Sequence, residues 1–433
     1  DMPDGSRIST VTHFKDLPSA EISTDFETIA GYKCVRSRVI YFSNTIDIWY
    51  TLEAGLAGTP VPAYGVPEGL VLRIVRNGNN ITEAEEVESV RDKGFRVSIS
   101  GNRGKEVDRM TFEHLLREAL VTSVTVFDNA VINWEGEVAN PEFGIRDTIY
   151  RFAGGTVILK KVILPQVHDR YSLFAEVTEY SAGDAYDRTG TVFVIPQGDP
   201  VTFIDGLIRG HKSLPVHTDK HGKEYSGVAA TVSYRPPVEL VRFFTPFGVR
   251  NFNEKRTVPG LVWEDSAFYK QEITRYLPLL RGEVWIGAFI GNYDRGGHRL
   301  SLRLKYYPET REMEFPASPE KWISSVFNTL PIMEMAGQQY GTMFDGDTLS
   351  VSVEIPEGLK SLQMVFITTG HGGWGGGDEF NQKMNELLVD GRRVWSFVPW
   401  RSDCGTYRNY NPASGNFWNG LSSSDYSRSG WCP

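Results

Sequence analysis

GTVILKKVILP (155–165), YSLFAEVTEY (171–180) and GTVFVIP (190–196) are three short apolar runs, each closed by a turn signal. They are rich in β-branched and aromatic residues and too short for ordinary helices. The same reading extends outward to GVAATVSY (227–234), ELVRFFTP (239–246), EVWIGAFIG (283–291) and RLSLRLKYY (299–307). Strands at this spacing, without long helices between them, predict an antiparallel sandwich or jelly roll over 136–310.

On either side the pattern changes. Residues 1–135 mix strands such as SRVIYFSNTIDIWYTL (37–52) with two helix candidates. Thr82-Glu83-Ala84-Glu85 has the form of a capping box, with Gly94 as the stop. The second helix, 108–120, places Phe112, Leu115, Leu116 and Leu120 on one face. The expectation is a smaller α+β domain. PETREMEFPASPEK (308–321) is polar with three prolines and reads as a linker. Beyond it, in 311–433, β pattern resumes in DTLSVSVEIP and LQMVFITTG, and Asp390-Gly391 between apolar runs signals a hairpin.

Length and charge narrow the function. A chain of 433 residues is too long for one ordinary domain. A net charge of −9 without a basic run argues against a nucleic-acid partner. No apolar run approaches the ~20 residues of a membrane span. Asp1-Met2-Pro3-Asp4 is polar and fits either a processed export form or a cytosolic chain. The three cysteines form no C-x-x-C, so a zinc site is not expected. Cys404 and Cys432 bracket a Gly-, Ser- and Asn-rich loop that a covalent staple would suit; two free buried thiols are the alternative.

Two stretches carry chemistry. TTGHGGWGGGDEFN (368–381) presents His371, Trp374, Asp378 and Glu379 on a glycine-rich backbone. It lacks the Lys-Ser/Thr of a phosphate loop and the H-E-x-x-H of a zinc site. Such a loop brings backbone close to a ligand, and Trp with Gly suits a sugar ring. SAGDAYDRTGTVFVIP (181–196) sets Asp184, Asp187 and Arg188 just before a strand. Arg188 is expected to hold Asp187 ionised. A G-x-S-x-G nucleophile is absent, so two separated carboxylates point to acid–base work on a water.

Four segments then resemble the bacterial peptide-N-glycosidase F family, in that family's order. They are Asp-Ala-Tyr-Asp-Arg (184–188) with its following strand, Val-Arg-Phe-Phe-Thr-Pro-Phe-Gly-Val (241–249), Gly370-His371 with Glu379-Phe380, and Arg-Ser-Gly-Trp-Cys-Pro (428–433). The resemblance implies a mainly β protein: two jelly-roll-like antiparallel sandwiches side by side, 136–310 and 311–433, after the α+β domain. It implies an amidase that cleaves N-linked glycans from Asn on glycoproteins and glycopeptides, without metal or cofactor. Asp187 and Glu379 would be the catalytic carboxylates. Arg188, Tyr186, His371, Trp374, Phe380, Arg428 and Trp431 would line the cleft. It also implies a Cys404–Cys432 disulfide and a secreted or periplasmic location. An endo-β-N-acetylglucosaminidase and a non-catalytic glycan-binding module are the alternatives.

There are departures from the family pattern. Its second Glu falls on Phe289 or Gly291, leaving Asp294 as the nearest carboxylate to substitute. Tyr186 and Phe380 stand where the family has Trp. A sandwich ending at Pro433 would leave an unpaired edge, so a C-terminal segment is expected, as a separate chain or as one lost by cleavage.

Overall fold

The computed structural model describes the chain except residues 1, 3–4, 12, 14–19, 65, 67–68, 89–100, 102, 168–169, 309–320, 339, 341–342, 345–346 and 373–374. Gly94, most of the linker at 308–321 and Trp374 therefore lie outside the described residues. The chain divides into two compact units, Asp1–Leu120 and Val121–Pro433.

The first unit is built on a five-stranded antiparallel meander: Glu21–Ile29, Tyr32–Tyr41, Asn44–Thr51, Leu70–Arg76 and Asn80–Glu83. Val39, Ile46, Ile48, Val71 and Ile74 bury one face. The helix expected at 82–94 is not what Thr82 and Glu83 form, because they close this sheet. The signal overlooked is Asn77-Gly78, both at positive φ (51° and 72°), which turns Leu70–Arg76 back on itself. Glu83 then pairs across strands with Arg73. The helix at 108–120 does form, as Arg109–Leu120, with the Asp108 carboxylate accepting the Thr111 N–H at 2.9 Å.

The second unit holds two sheets face to face. Five strands run in the order Val238–Phe244, Thr189–Ile195, Gly282–Ile290, Val157–Leu164, Ile149–Phe152. Four run Ser266–Glu272, Tyr171–Ser181, His298–Pro308, Thr122–Ile132. Every pairing is antiparallel. Thr122–Ile132 belongs to this sandwich, although the sequence reading places residues up to 135 in the first domain. Alternation along Tyr171–Ser181 turns Leu173, Ala175, Val177, Glu179 and Ser181 inward. His298, Leu300, Leu302, Leu304 and Tyr306 meet them from the neighbouring strand.

The five-stranded sheet is buried on both faces, which is why its strands read as near-continuous apolar runs. Its outer face is covered by the helix Phe203–Arg209 and by Leu330, Ile332 and Met333, packed on Phe193, Trp285 and Phe289. Gly287 admits this packing, since a Cβ there would sit 2.2 Å from the Phe193 ring; Gly190 does the same on the inner face, 2.2 Å from Phe243.

The region after the linker is less regular than its sequence predicts. Asn385–Val389 and Arg392–Phe397 form the expected hairpin around Asp390-Gly391. Trp400–Arg401 pairs with Arg428–Ser429. Among the described residues, 349–370 form no ladder, and Ile355, Leu362, Met364, Val365 and Ile367 are exposed. Alternation alone does not make a strand; its backbone groups need a partner. Cys404 and Cys432 are joined in a disulfide.

Candidate active site

The site lies where the strand Thr189–Ile195 begins. The segment Asp184–Arg188 enters this strand over the end of Val238–Phe244 and is held there by the residues that follow. Arg188 N–H donates to Thr245 Oγ1 at 2.8 Å, Thr245 Oγ1 donates to the Tyr186 carbonyl at 2.9 Å, and Gly248 N–H donates to the Ala185 carbonyl at 2.7 Å. The Thr-Pro-Phe-Gly segment thus works as a brace for the Asp-Arg loop, a role its own sequence does not announce.

A second set of residues meets this loop. Gly370 N–H donates to the Ser429 carbonyl and Ser429 N–H to the Glu379 carbonyl. Trp431 Nε1 donates to the Gly370 carbonyl at 2.8 Å. These bonds gather the glycine-rich loop and the Arg-Ser-Gly-Trp segment into one wall. Trp431 stacks on Phe244 of the sandwich, centroids 4.2 Å apart.

Arg428 is the centre of the arrangement. Its guanidinium, 2% exposed, lies 3.2 Å from Asp187 Oδ2 and is paired with Glu379 Oε1. The rings of Phe380 and Trp431 lie 4.9 and 4.4 Å from it. The structure thus brings Asp187, Glu379, Arg428, Phe380 and Trp431 together. Burial pushes the Asp187 carboxyl above the usual carboxylate range; Arg428 and, more weakly, Arg188 pull against that without overcoming it. Asp187 Oδ2 and Arg428 Nε accept or donate no aligned hydrogen bond within the described chain. A carboxyl with raised proton affinity beside a fixed cation suits acid–base chemistry near neutral pH.

Arg188 is not the partner of Asp187. It makes a bidentate pair with Asp184, Nε to Oδ2 at 2.7 Å and Nη2 to Oδ1 at 3.1 Å, and lies 4.9 Å from the half-exposed Tyr186 ring. An i,i+4 pair is reachable here because the loop turns; sequence adjacency to Asp187 directs the two side chains apart.

His371 is wedged between Phe244 and Trp431, 5.7 and 5.0 Å away. Its ring nitrogens reach Thr189 Oγ1 at 3.1 Å and Thr369 Oγ1 at 2.8 Å. Burial, then the positive charges of Arg242 and Arg428, lower its pKa. One edge stays open to solvent, which moderates the drop, and the ring is neutral at physiological pH. Arg242, which the sequence reading gave no role, donates to Thr369 Oγ1 at 2.7 Å and pairs with Glu239.

The glycines serve a different closeness from the one expected. A Cβ at Gly377 would lie 2.1 Å from the Gly372 carbonyl, and one at Gly372 would lie 2.7 Å from the Asp378 nitrogen. The loop folds against itself, and Asp378 closes it by accepting the Gly372 N–H at 2.7 Å. Asp294 is likewise spent on its own turn, accepting N–H groups of Gly296 and Gly297 at 2.7 and 3.2 Å. Phe289 is fully buried in the outer core. Asp403 lies beside Cys404 and Cys432, whose sulfurs are committed to the disulfide.

Residues 123–306 match the family description "Peptide-N-glycosidase F, N terminal", 339–433 match "Peptide-N-glycosidase F, C terminal", and 14–114 match "N-glycanase peptide, N-terminal domain". A search of curated proteins finds no match. Among solved structures, PNGF-II in its P21 crystal form is 41% identical over 98% of this chain and 78% of that one, with a TM-score of 0.76. The same protein in a C2 form gives 41% identity, 96% and 75% coverage, and a TM-score of 0.73. This chain belongs to the peptide-N-glycosidase F family.

Proposed function

We propose that the protein is an amidase that hydrolyses the bond between Asn and the first GlcNAc of N-linked glycans, releasing the whole glycan and leaving Asp. The observation that carries this reading is Arg428, buried and shared between Asp187 and Glu379. An amide needs an activated water and a stabilised tetrahedral oxyanion. Asp187 orients and deprotonates the water. Arg428 holds Asp187 in place and limits how far burial raises its proton affinity. Glu379 bonds the first GlcNAc or the departing glycosylamine. Tyr186, His371 and Phe380 present ring faces and edges to the sugars, Trp431 backs Arg428 and His371 from beneath, and Arg188 keeps the Tyr186 ring in place; Trp374 is assigned to sugar contact from its sequence position alone.

The disulfide supports an oxidising, secreted or periplasmic location. No helix among the described residues is long and apolar enough to cross a membrane. The exposed apolar residues of 349–370 and the faces of the 385–397 hairpin support the expected docking of strands from further polypeptide. Protection of those amides from hydrogen exchange when that polypeptide is added tests this part.

The test of activity is mass spectrometry of a defined N-glycopeptide after incubation with the protein. Asn converted to Asp with the intact glycan released supports the amidase. A GlcNAc left on Asn means endoglycosidase chemistry, and an unaltered but bound glycopeptide means a binding module.

A further inference from the structure

Beneath the Asp184–Arg188 loop lies a buried charged group that the reading above does not use. His298 begins the strand His298–Pro308 and is fully buried, as is Glu179 on the adjacent strand. In the register His298 faces Ser181, and Glu179 faces Leu300, so the two side chains are diagonal neighbours on the inward face. His298 Nδ1 lies 2.7 Å from Glu179 Oε1. Its Nε2 is directed at Asp184 Oδ2, 3.7 Å away.

Asp184 is the hub of the loop above. Its carboxylate accepts the Tyr186 N–H at 3.1 Å and both Arg188 donors, so it grips the residues on either side of Asp187. Ser181 Oγ donates to its carbonyl at 2.8 Å. At 2% exposure Asp184 must be ionised to hold Arg188, and Glu179 is a second buried carboxyl close by. One guanidinium does not balance two such groups. With both carboxyls ionised, a neutral imidazole would turn its lone pair toward one of them. With an imidazolium, Nδ1–H serves Glu179, the Nε2–H bond points at Asp184, and the charges cancel.

We propose that His298, clasped as an imidazolium between Glu179 and Asp184, is a positioning residue that fixes the Asp184–Arg188 loop and so aims the carboxylate of Asp187. This rests on the amidase reading, in which Asp187 is the reacting carboxyl. The groups facing the cluster are Glu179 and Tyr269 from the four-stranded sheet, Asp265 at its edge, and Asp184, Asp187 and Arg188 from the loop. Burial opposes charge on His298, but the nearby Asp184 carboxylate and the bond to Glu179 outweigh it and raise its pKa; burial raises that of Glu179 as well. Both shifts act to retain the proton in the Glu179–His298 hydrogen bond.

The experiment combines nitrogen-15 histidine spectra with kinetics of His298→Gln and Glu179→Gln on a defined N-glycopeptide. The wild type is expected to show His298 protonated on both nitrogens at about pH 7.5, where an unperturbed histidine is mostly neutral. His298→Gln is expected to lose ~10- to 100-fold in kcat with KM changed less than about twofold, as displacement of an aligned group does. In Glu179→Gln the ratio of variant to wild-type kcat should rise as pH falls and the imidazolium re-forms. A neutral His298 in the wild type, a loss confined to KM, or a ratio flat with pH would overturn the proposal. If His298→Gln does not fold, Glu179→Gln carries the kinetic test alone. If the wild type releases no glycan, the amidase reading fails on its own, and the Arg188 Nε–H signal decides this one. Its loss in Glu179→Gln together with the imidazolium supports the clasp, and its persistence overturns it.

Discussion

Replacing Arg428 by Met should expose how the two carboxylates depend on one cation. The guanidinium is 2% exposed, and the side chains it serves are 13% and 15% exposed. Removing one member of a buried ion pair costs about 3–5 kcal/mol, because the remaining charge is left unpaired. Here two charges are left, while Met restores much of the packing against Phe380 and Trp431, so about 4 kcal/mol is expected. A unit of this size loses ~2 °C of Tm per kcal/mol, which gives ~8 °C near neutral pH. The sign with pH follows from Asp187. Its folded-state pKa is already above the usual carboxylate value, so its contribution is unfavourable once pH rises through that value. Losing Arg428 raises it further. The variant's deficit should therefore be largest at about pH 7.5 and smaller at about pH 4.5, closer to the raised Asp187 value, since a protonated carboxyl needs no cation. Thermal melts of both proteins at the two pH values measure this. A deficit under ~2 °C, or one equal at both pH values, would show that Arg428 does not compensate buried charge.

The remaining predictions test other parts of the site. Asp187→Asn keeps the shape beside Arg428 and should lose ~1000-fold or more in turnover on a glycopeptide, with an unchanged circular dichroism spectrum; substantial remaining turnover removes Asp187 from the reaction. Gly370→Ala places a Cβ 2.7 Å from the Asp378 carbonyl and from Ser429 Cβ. It should cost ~1–3 kcal/mol and impair activity by moving Glu379, measured by denaturant titration and kcat. Reducing the disulfide between Cys404 and Cys432, 28 residues apart in sequence, should remove ~3.5 kcal/mol by the loop-entropy relation. A melt with and without reductant checks it.

Much of the sandwich was legible because its strands are buried in a way that shows. Val157–Leu164 and Gly282–Ile290 are apolar nearly throughout since both faces of their sheet are covered. The β-bonded use of Thr82 and Glu83 was legible only from the Asn77-Gly78 turn before it, because a Ser/Thr-x-x-Glu pattern alone fits a helix start as well as a strand end. The segment 349–370 shows the converse: its alternation is plain, yet pairing depends on neighbours that the alternation does not specify.

The candidate site was legible as residue types and not as pairings. Asp187, Glu379, Arg428 and Trp431 stand far apart in sequence and meet only because Gly370, Ser429 and Glu379 exchange backbone bonds. Adjacency suggested that Arg188 serves Asp187, but consecutive side chains diverge, and the partner at i−4 takes the guanidinium instead. That frees Asp187 for Arg428, which arrives from the end of the chain. A carboxylate paired with its sequence neighbour would be fixed by the loop alone. One paired with Arg428 is fixed only when the sandwich and the C-terminal wall have come together, so the acid–base role proposed for Asp187 is tied to completed folding.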